Sequence, residues 1–248
     1  MVDARQVAYL QALGVDVYVP RNAPPLQAEV VVDAPPAAVT PAIDAAASPA
    51  VAANLDWDAL RAEVAACQRC DLHATRTQTV FGVGSRQARW MFIGEAPGAE
   101  EDRQGEPFVG RAGQLLTSMI RALGLRREDV FIANVLKCRP PDNRDPRPAE
   151  AARCRGFLER QVALVDPTLI IAVGRIAAQN LLATETPLAK LRGKVHSFGA
   201  QAWPVVVTYH PAYLLRSPGE KRKSWQDLLH ARQLFGRLER ESASEGRA

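Results

Sequence analysis

Residues 89–113 read RWMFIGEAPGAEEDRQGEPFVGRAG. A short apolar run breaks at Gly94 into a stretch crowded with glycine and carboxylates. The apolar half has the length and composition of a strand buried on both faces. The polar half reads as a loop. Glycine lets a backbone approach a ligand closely, and carboxylates either face water or do acid–base and metal chemistry.

Three further apolar runs rich in β-branched residues repeat the arrangement: DVFIANVL at 129–136, TLIIAVG at 168–174 and PVVVTY at 204–209. Helical periodicity fills the intervals, over about 112–124, 148–164, 175–184 and 224–240. Strands alternating with helices predict an α/β fold with a four-stranded parallel sheet covered on both faces. Each run ends in residues that a plain loop does not need: GEAPG after the first, Asn134 and Cys138 at the second, Gly174 and Arg175 after the third, YHPAYLLR after the fourth. Ligands bind outside the carboxyl ends of strands in open α/β sheets, so four such endings predict one site.

The composition, 47% hydrophobic and 23% charged over 248 residues, is that of a globular protein. No run of apolar residues is long enough to span a membrane, and MVDARQVAYLQALGVD at the N-terminus lacks the apolar core of a signal peptide. The expected location is therefore cytoplasmic, in association with the nucleoid, where disulfides are improbable. Charge is unevenly spread. Residues 1–56 hold 2 basic and 6 acidic residues, and residues 57–248 hold 29 and 21, giving nets of −4 and +8. A basic body suits a polyanionic partner.

Residues 34–53 contain ten alanines and four prolines, too little bulk for a core and too much proline for a helix. The expected organisation is a small N-terminal peptide at 1–25, a disordered Ala/Pro-rich linker at 26–56, a folded domain at 57–240 and a disordered tail at 241–248. The four cysteines, Cys67 and Cys70 in a CxxC pair with Cys138 and Cys154 far downstream, can hold tetrahedral zinc or an iron–sulfur cluster. Their spacing leaves both open. Arg69, Lys137, Arg139, Arg153 and Arg155 beside them would offset an anionic cluster or contact phosphates.

The blocks CQRCDL (67–72), RTQTVFGVG (76–84), GEAPGAEEDRQGEPFVGRAGQLL (94–116), NVLKCRPPDNRDP (134–146), Cys154 and HPAYLLR (210–216) together resemble the family-four uracil-DNA glycosylases, over about residues 57–240. The resemblance implies a three-layer α/β/α fold and excision of uracil from single- and double-stranded DNA, leaving an abasic site. It also implies a [4Fe–4S] cluster on Cys67, Cys70, Cys138 and Cys154, iron rather than zinc. By the same match Phe108 stacks on an extruded base. The Asn134 amide then matches the O4 and N3–H edge of uracil, and His210 donates a hydrogen bond near O2 as charge develops.

Related family-one enzymes carry a tyrosine where this chain has Gly98, and an aspartate where it has Ala96. Thymine must then be excluded by another wall, for which Glu101 is the candidate, and Glu95 is expected to hold the water. Tyr213, Leu214 or Leu215 would fill the gap left in the DNA, Arg216 would hold a phosphate, and Glu100, Asp102 and Glu106 would face solvent.

Four other readings are weighed beside this one. They are a non-catalytic iron–sulfur DNA-binding module, a branch with other base specificity, a branch that traps the sugar on a histidine near the cluster, and a zinc-dependent hydrolase. No histidine lies between Asn134 and Cys154 to serve the third. The chain is expected to act as a monomer. Its segment RQVAYLQALGVDVYVPRN (5–22) resembles the peptide by which the psi subunit of the bacterial clamp loader holds chi, implying a replication partner.

Overall fold

The computed structural model describes residues 55–245. The expected N-terminal peptide and almost all of the expected linker lie outside the described residues. The elements run in the order α1 (Trp57–Ala65), β1 (Val83–Gly84), β2 (Trp90–Gly94), α2 (Ala99–Gln104), α3 (Arg111–Ala122), β3 (Phe131–Asn134) and α4 (Pro148–Val165). They continue with β4 (Leu169–Val173), α5 (Arg175–Leu181), α6 (Leu188–Leu191), β5 (Val195–Phe198), β6 (Trp203–Thr208), α7 (Pro211–Arg216) and α8 (Lys221–Glu245). Asp56 caps α1, its carboxylate accepting from the Ala59 amide at 2.8 Å. At the other end α8 is helical through Glu245, so residues 241–245 belong to the last helix and not to the disordered tail expected there.

The sheet has six strands in the order β1-β3-β2-β4-β6-β5. The four expected strands form its centre and are all parallel to one another. Two antiparallel edges that the sequence did not announce, β1 and β5, make the sheet mixed.

Alternate residues of the central strands face two separate cores, as a pleated strand requires. Met91, Ile93, Phe131, Ala133, Ile170 and Ala172 pack under α1, α4 and α5. Trp90, Phe92, Ile132, Leu169, Ile171 and Val206 pack under α3 and α8. Helices therefore cover both faces, which is the three-layer architecture. Among the described residues no helix is long and apolar enough to cross a membrane.

The chain runs from β2 out to β3 and then crosses back over β2 to β4. The order reverses there, and such a switch point opens a crevice at the carboxyl ends of the strands.

Candidate active site

A cleft of about 720 Å³ lies at that crevice. Its walls include the loop after β2 (Glu95, Ala96, Pro97, Gly98), with Glu101, Phe108, Asn134, His210, Tyr213 and Arg216. Nine of the expected site residues therefore line one cavity.

Asn134 ends β3 and pairs in register with Gly94, the last residue of β2. It is buried, and its side-chain Oδ1 has no hydrogen-bond partner among the described residues. A buried polar atom left unpaired costs about 1–3 kcal/mol, so a ligand that pairs with it recovers that energy. Phe108 packs beside it with φ +56°, a backbone conformation unusual for a phenylalanine. The two side chains meet above Gly94: a Cβ there would lie 2.5 Å from Asn134 Oδ1 and 2.5 Å from the tip of the Phe108 ring. The bare end of β2 is what leaves both groups room.

His210 follows β6 and caps α7. Its Nδ1 accepts from the Ala212 amide at 3.1 Å, so in the neutral ring the proton sits on Nε2. Burial pushes the imidazole down to about 4, helped by Arg216 and opposed by Glu101. At neutral pH His210 is therefore an uncharged Nε2–H donor. Its ring centroid lies 5.7 Å from that of Phe108. Gly174, at φ +97°, makes space beneath it: a Cβ would lie 2.8 Å from His210 Cβ.

The carboxyl of Glu95 is pushed up to about 7, chiefly by burial and further by Asp145, against the pull of Arg175. Asp145 and Arg175 line the same cleft and pair at 2.7 Å. The sequence reading placed Arg175 at a strand end but gave Asp145 no part in the site. Glu101 accepts from the amides of Gly98 (3.1 Å), Val109 (3.0 Å) and Gly110 (3.2 Å). It is thus a fixed strut between two loops, and one face of it borders the cleft.

Two expectations fail. Asp102 does not face solvent. It is 3% exposed and accepts from the amides of Thr77 at 3.0 Å and Gln78 at 3.4 Å, tying the segment after the CxxC pair to α2. Leu214 is not available to enter DNA. It is 1% exposed and belongs to the core under α3 and α8. Its neighbours Tyr213 and Leu215 are exposed instead, because successive residues on a helix point about 100° apart. Tyr213 stacks on Tyr209 at 5.1 Å, and the Arg192 guanidinium lies over the other ring of that pair at 4.4 Å. Glu100 and Glu106 are exposed as expected, and Arg216 is exposed at the mouth of the cleft.

A second, smaller pocket is lined by Cys67, Cys70, Cys138 and Cys154 together with Arg69, Arg76, Lys137 and Arg153. Burial pushes the Cys154 thiol up to about 12 and also raises Cys138 and Cys70. Thiols so placed ionise only against strong positive charge, which a metal centre supplies. Arg76 Nη1 donates to Cys138 Sγ at 3.0 Å, and the Lys137 amide donates to Cys154 Sγ at 3.3 Å. These are the contacts that support thiolates. Among the described residues no three His, Cys, Asp or Glu side chains converge on one point as a single ion would require.

Comparison with known proteins agrees with this geometry. The profile of the uracil DNA glycosylase superfamily matches residues 81–229. A type-4 uracil-DNA glycosylase of Archaeoglobus fulgidus is 46% identical over 183 residues, covering 71% of this chain and 91% of the relative. Its counterpart from Thermotoga maritima is 46% identical over 153 residues, 61% of this chain and 79% of the relative. That of Sulfurisphaera tokodaii is 41% identical over 182 residues, 71% and 83%. With a three-layer fold and a cleft at its switch point, and with relatives matched over most of the described domain, the chain belongs to the uracil DNA glycosylase superfamily, among its type-4 members.

Proposed function

We propose that the protein hydrolyses the N-glycosidic bond of uracil in DNA and leaves an abasic site. The observation that carries this reading is the buried Asn134 amide, its Oδ1 unpaired, beside the Phe108 ring in a cleft at the carboxyl ends of the strands.

A duplex base must leave the helix to reach such a site, at a cost of a few kcal/mol. The basic body and Arg216 hold phosphates, and Tyr213 or Leu215 fills the vacated space. Phe108 stacks on the extruded ring, an interaction of about 1–3 kcal/mol that any base can make. Selection falls to Asn134. Its amide offers an acceptor to N3–H and a donor to O4, whereas cytosine presents the opposite pattern. A site that leaves buried polar groups unpaired rejects the wrong ligand by about 10⁴–10⁵. Glu101, pinned by three amides, gives the cleft a wall that does not swing away, and this rigidity suits it to exclude the thymine methyl.

Cleavage sends the electron pair of the C1′–N1 bond to the base, which leaves as an anion. The His210 Nε2–H lies in a dry site and strengthens its hydrogen bond to O2 as that charge grows. Water held by Glu95 and the backbone of the loop after β2 adds to C1′, and its proton passes to the Glu95 carboxylate. The sugar cation is electrophilic enough for placement of the water to matter more than its deprotonation.

Cys67, Cys70, Cys138 and Cys154 would hold a [4Fe–4S] cluster. Four cysteines lining one small pocket, with Arg76 and the Lys137 amide donating to two of their sulfurs, are a donor set that such a cluster takes. Held there, it would tie the end of α1 to the segment after β3 and to α4, which carry these cysteines.

The test is incubation with uracil-containing single- and double-stranded oligonucleotides in EDTA, followed by alkaline strand scission. Cleavage at the uracil is expected, with Asn134→Ala inactive but still binding abasic DNA. Intact uracil strands from a brown, iron-loaded preparation would refute the reading.

A further inference from the structure

Lys137 is 1% exposed and has no carboxylate partner among the described residues, which is rare for a lysine. Its Nζ donates to the backbone carbonyl of Asn134 at 2.7 Å. Its backbone amide donates to Cys154 Sγ at 3.3 Å, and it is followed in the chain by Cys138. A buried cation is costly unless countered, and the cysteine pocket that Lys137 helps to line would supply the counter-charge once its sulfurs are thiolates holding a cluster.

The five residues from Asn134 to Cys138 form a strap. The Val135 amide donates to the Gly94 carbonyl at 2.9 Å and the Leu136 amide to the Glu95 carbonyl at 3.0 Å. The Lys137 amide donates to Cys154 Sγ, and the Lys137 carbonyl accepts from the Val80 amide at 2.8 Å. One end of the strap carries the unpaired amide in the cleft and the other carries a cysteine of the second pocket.

We propose that Lys137 is a positioning residue for base recognition: its ammonium, held in the interior by the negative cysteine site, grips the Asn134 carbonyl and keeps the Asn134 amide aimed into the cleft. This rests on the cluster reading above, because a cluster ligated by four thiolates carries the net negative charge that keeps a cation buried beside it. It makes the two pockets one device, with the cysteine site acting on affinity for the base through a single side chain.

The experiment compares the full chain with Lys137→Met, which keeps length and removes charge and donor, and with Lys137→Arg, which keeps both. Free uracil is titrated into each by calorimetry, and the reduction potential of the iron centre is measured on the same samples. For Lys137→Met, uracil affinity is expected to fall at least about 10-fold, affinity for abasic DNA to hold, and the potential to move negative as a nearby positive charge is lost. Lys137→Arg should recover most of both. A brown Lys137→Met protein with wild-type uracil affinity would overturn the proposal, whatever its melting temperature. If the Met variant does not accumulate, Lys137→Gln is measured in its place, and wild-type uracil affinity there overturns the proposal equally. A colourless wild-type chain that carries zinc would defeat the cluster reading alone, since the uracil comparison still tests the link from Lys137 to Asn134.

Discussion

Glu95→Gln should stabilise the protein while disabling it, and the stabilisation should depend on pH in a way that the structure fixes. The Glu95 carboxyl is moved from 4.5 to about 7, mainly by burial. A carboxyl with a raised folded-state value binds its proton more tightly in the folded chain. Below 4.5 both states are protonated and nothing is lost. As pH rises from 4.5 to 7 the unfolded chain ionises first and stability falls, and above 7 the full penalty applies. Linkage puts that penalty at about 1 kcal/mol at pH 5 and about 3 kcal/mol at pH 8. Water reaching a partly exposed group makes these upper values.

Glutamine has nearly the same shape and no ionisation, so the variant escapes the penalty. Parallel denaturant titrations of the two proteins at pH 5 and pH 8, followed by tryptophan fluorescence, cancel every contribution except that of residue 95. The variant should gain stability relative to the parent as pH rises, by up to about 2 kcal/mol across that interval. A difference that stays constant with pH would refute the assigned burial of the carboxylate. Excision by the parent should fall as pH drops through about 7, where Glu95 takes up its proton, and that limb should be missing from the residual rate of the variant.

Three further outcomes follow from the geometry. His210, already neutral with a value near 4, should add no inflection to the excision profile between pH 5 and 8, so a second acid limb near 6 would place its ring in water. Gly94→Ala should abolish excision, because its methyl collides with both Asn134 Oδ1 and Phe108; wild-type kcat/KM would show that the two groups do not meet there. Leu214→Ala should destabilise by about 2–5 kcal/mol as a core cavity, whereas Leu215→Ala should stay within about 0.5 kcal/mol. The Leu215 change should slow excision from duplex more than from single strands, and equal slowing on both would remove it from the DNA contact.

Much of the fold is legible because parallel strands buried on both faces read as continuous apolar runs, and all four such runs are central strands. The edges are not legible. β1 has two residues, and β5 has two exposed positions, one partly buried and only Phe198 buried, so neither makes a run. Asn134, Phe108 and His210 were found through blocks that join strand ends to loops. Asp102 was misjudged because a charge in a polar stretch reads as solvated, and only tertiary contacts show that a pair of amides waits for it. Leu214 and Leu215 differ only in which way a short helix turns, and two adjacent leucines carry no mark of that.

The strand order also explains why the cleft holds these groups and not others. The two middle strands of β3-β2-β4-β6 end at glycine: Gly94 closes β2, and Gly174 follows β4. The two flanking strands end at the functional side chains, Asn134 on β3 and His210 just beyond β6. Gly94 pairs directly with Asn134, and the Gly174 amide donates to the Thr208 carbonyl at 2.9 Å, two residues before His210. Side chains from the outer strands therefore lean inward over bare backbone. A Cβ on either glycine would strike the group that leans over it. On the proposed reading a flat base would be gripped from opposite sides, with its readers on the flanking strands and the middle left empty. That arrangement needs the switch in strand order, since four strands laid down in simple succession would not put the first and third at the centre of the crevice.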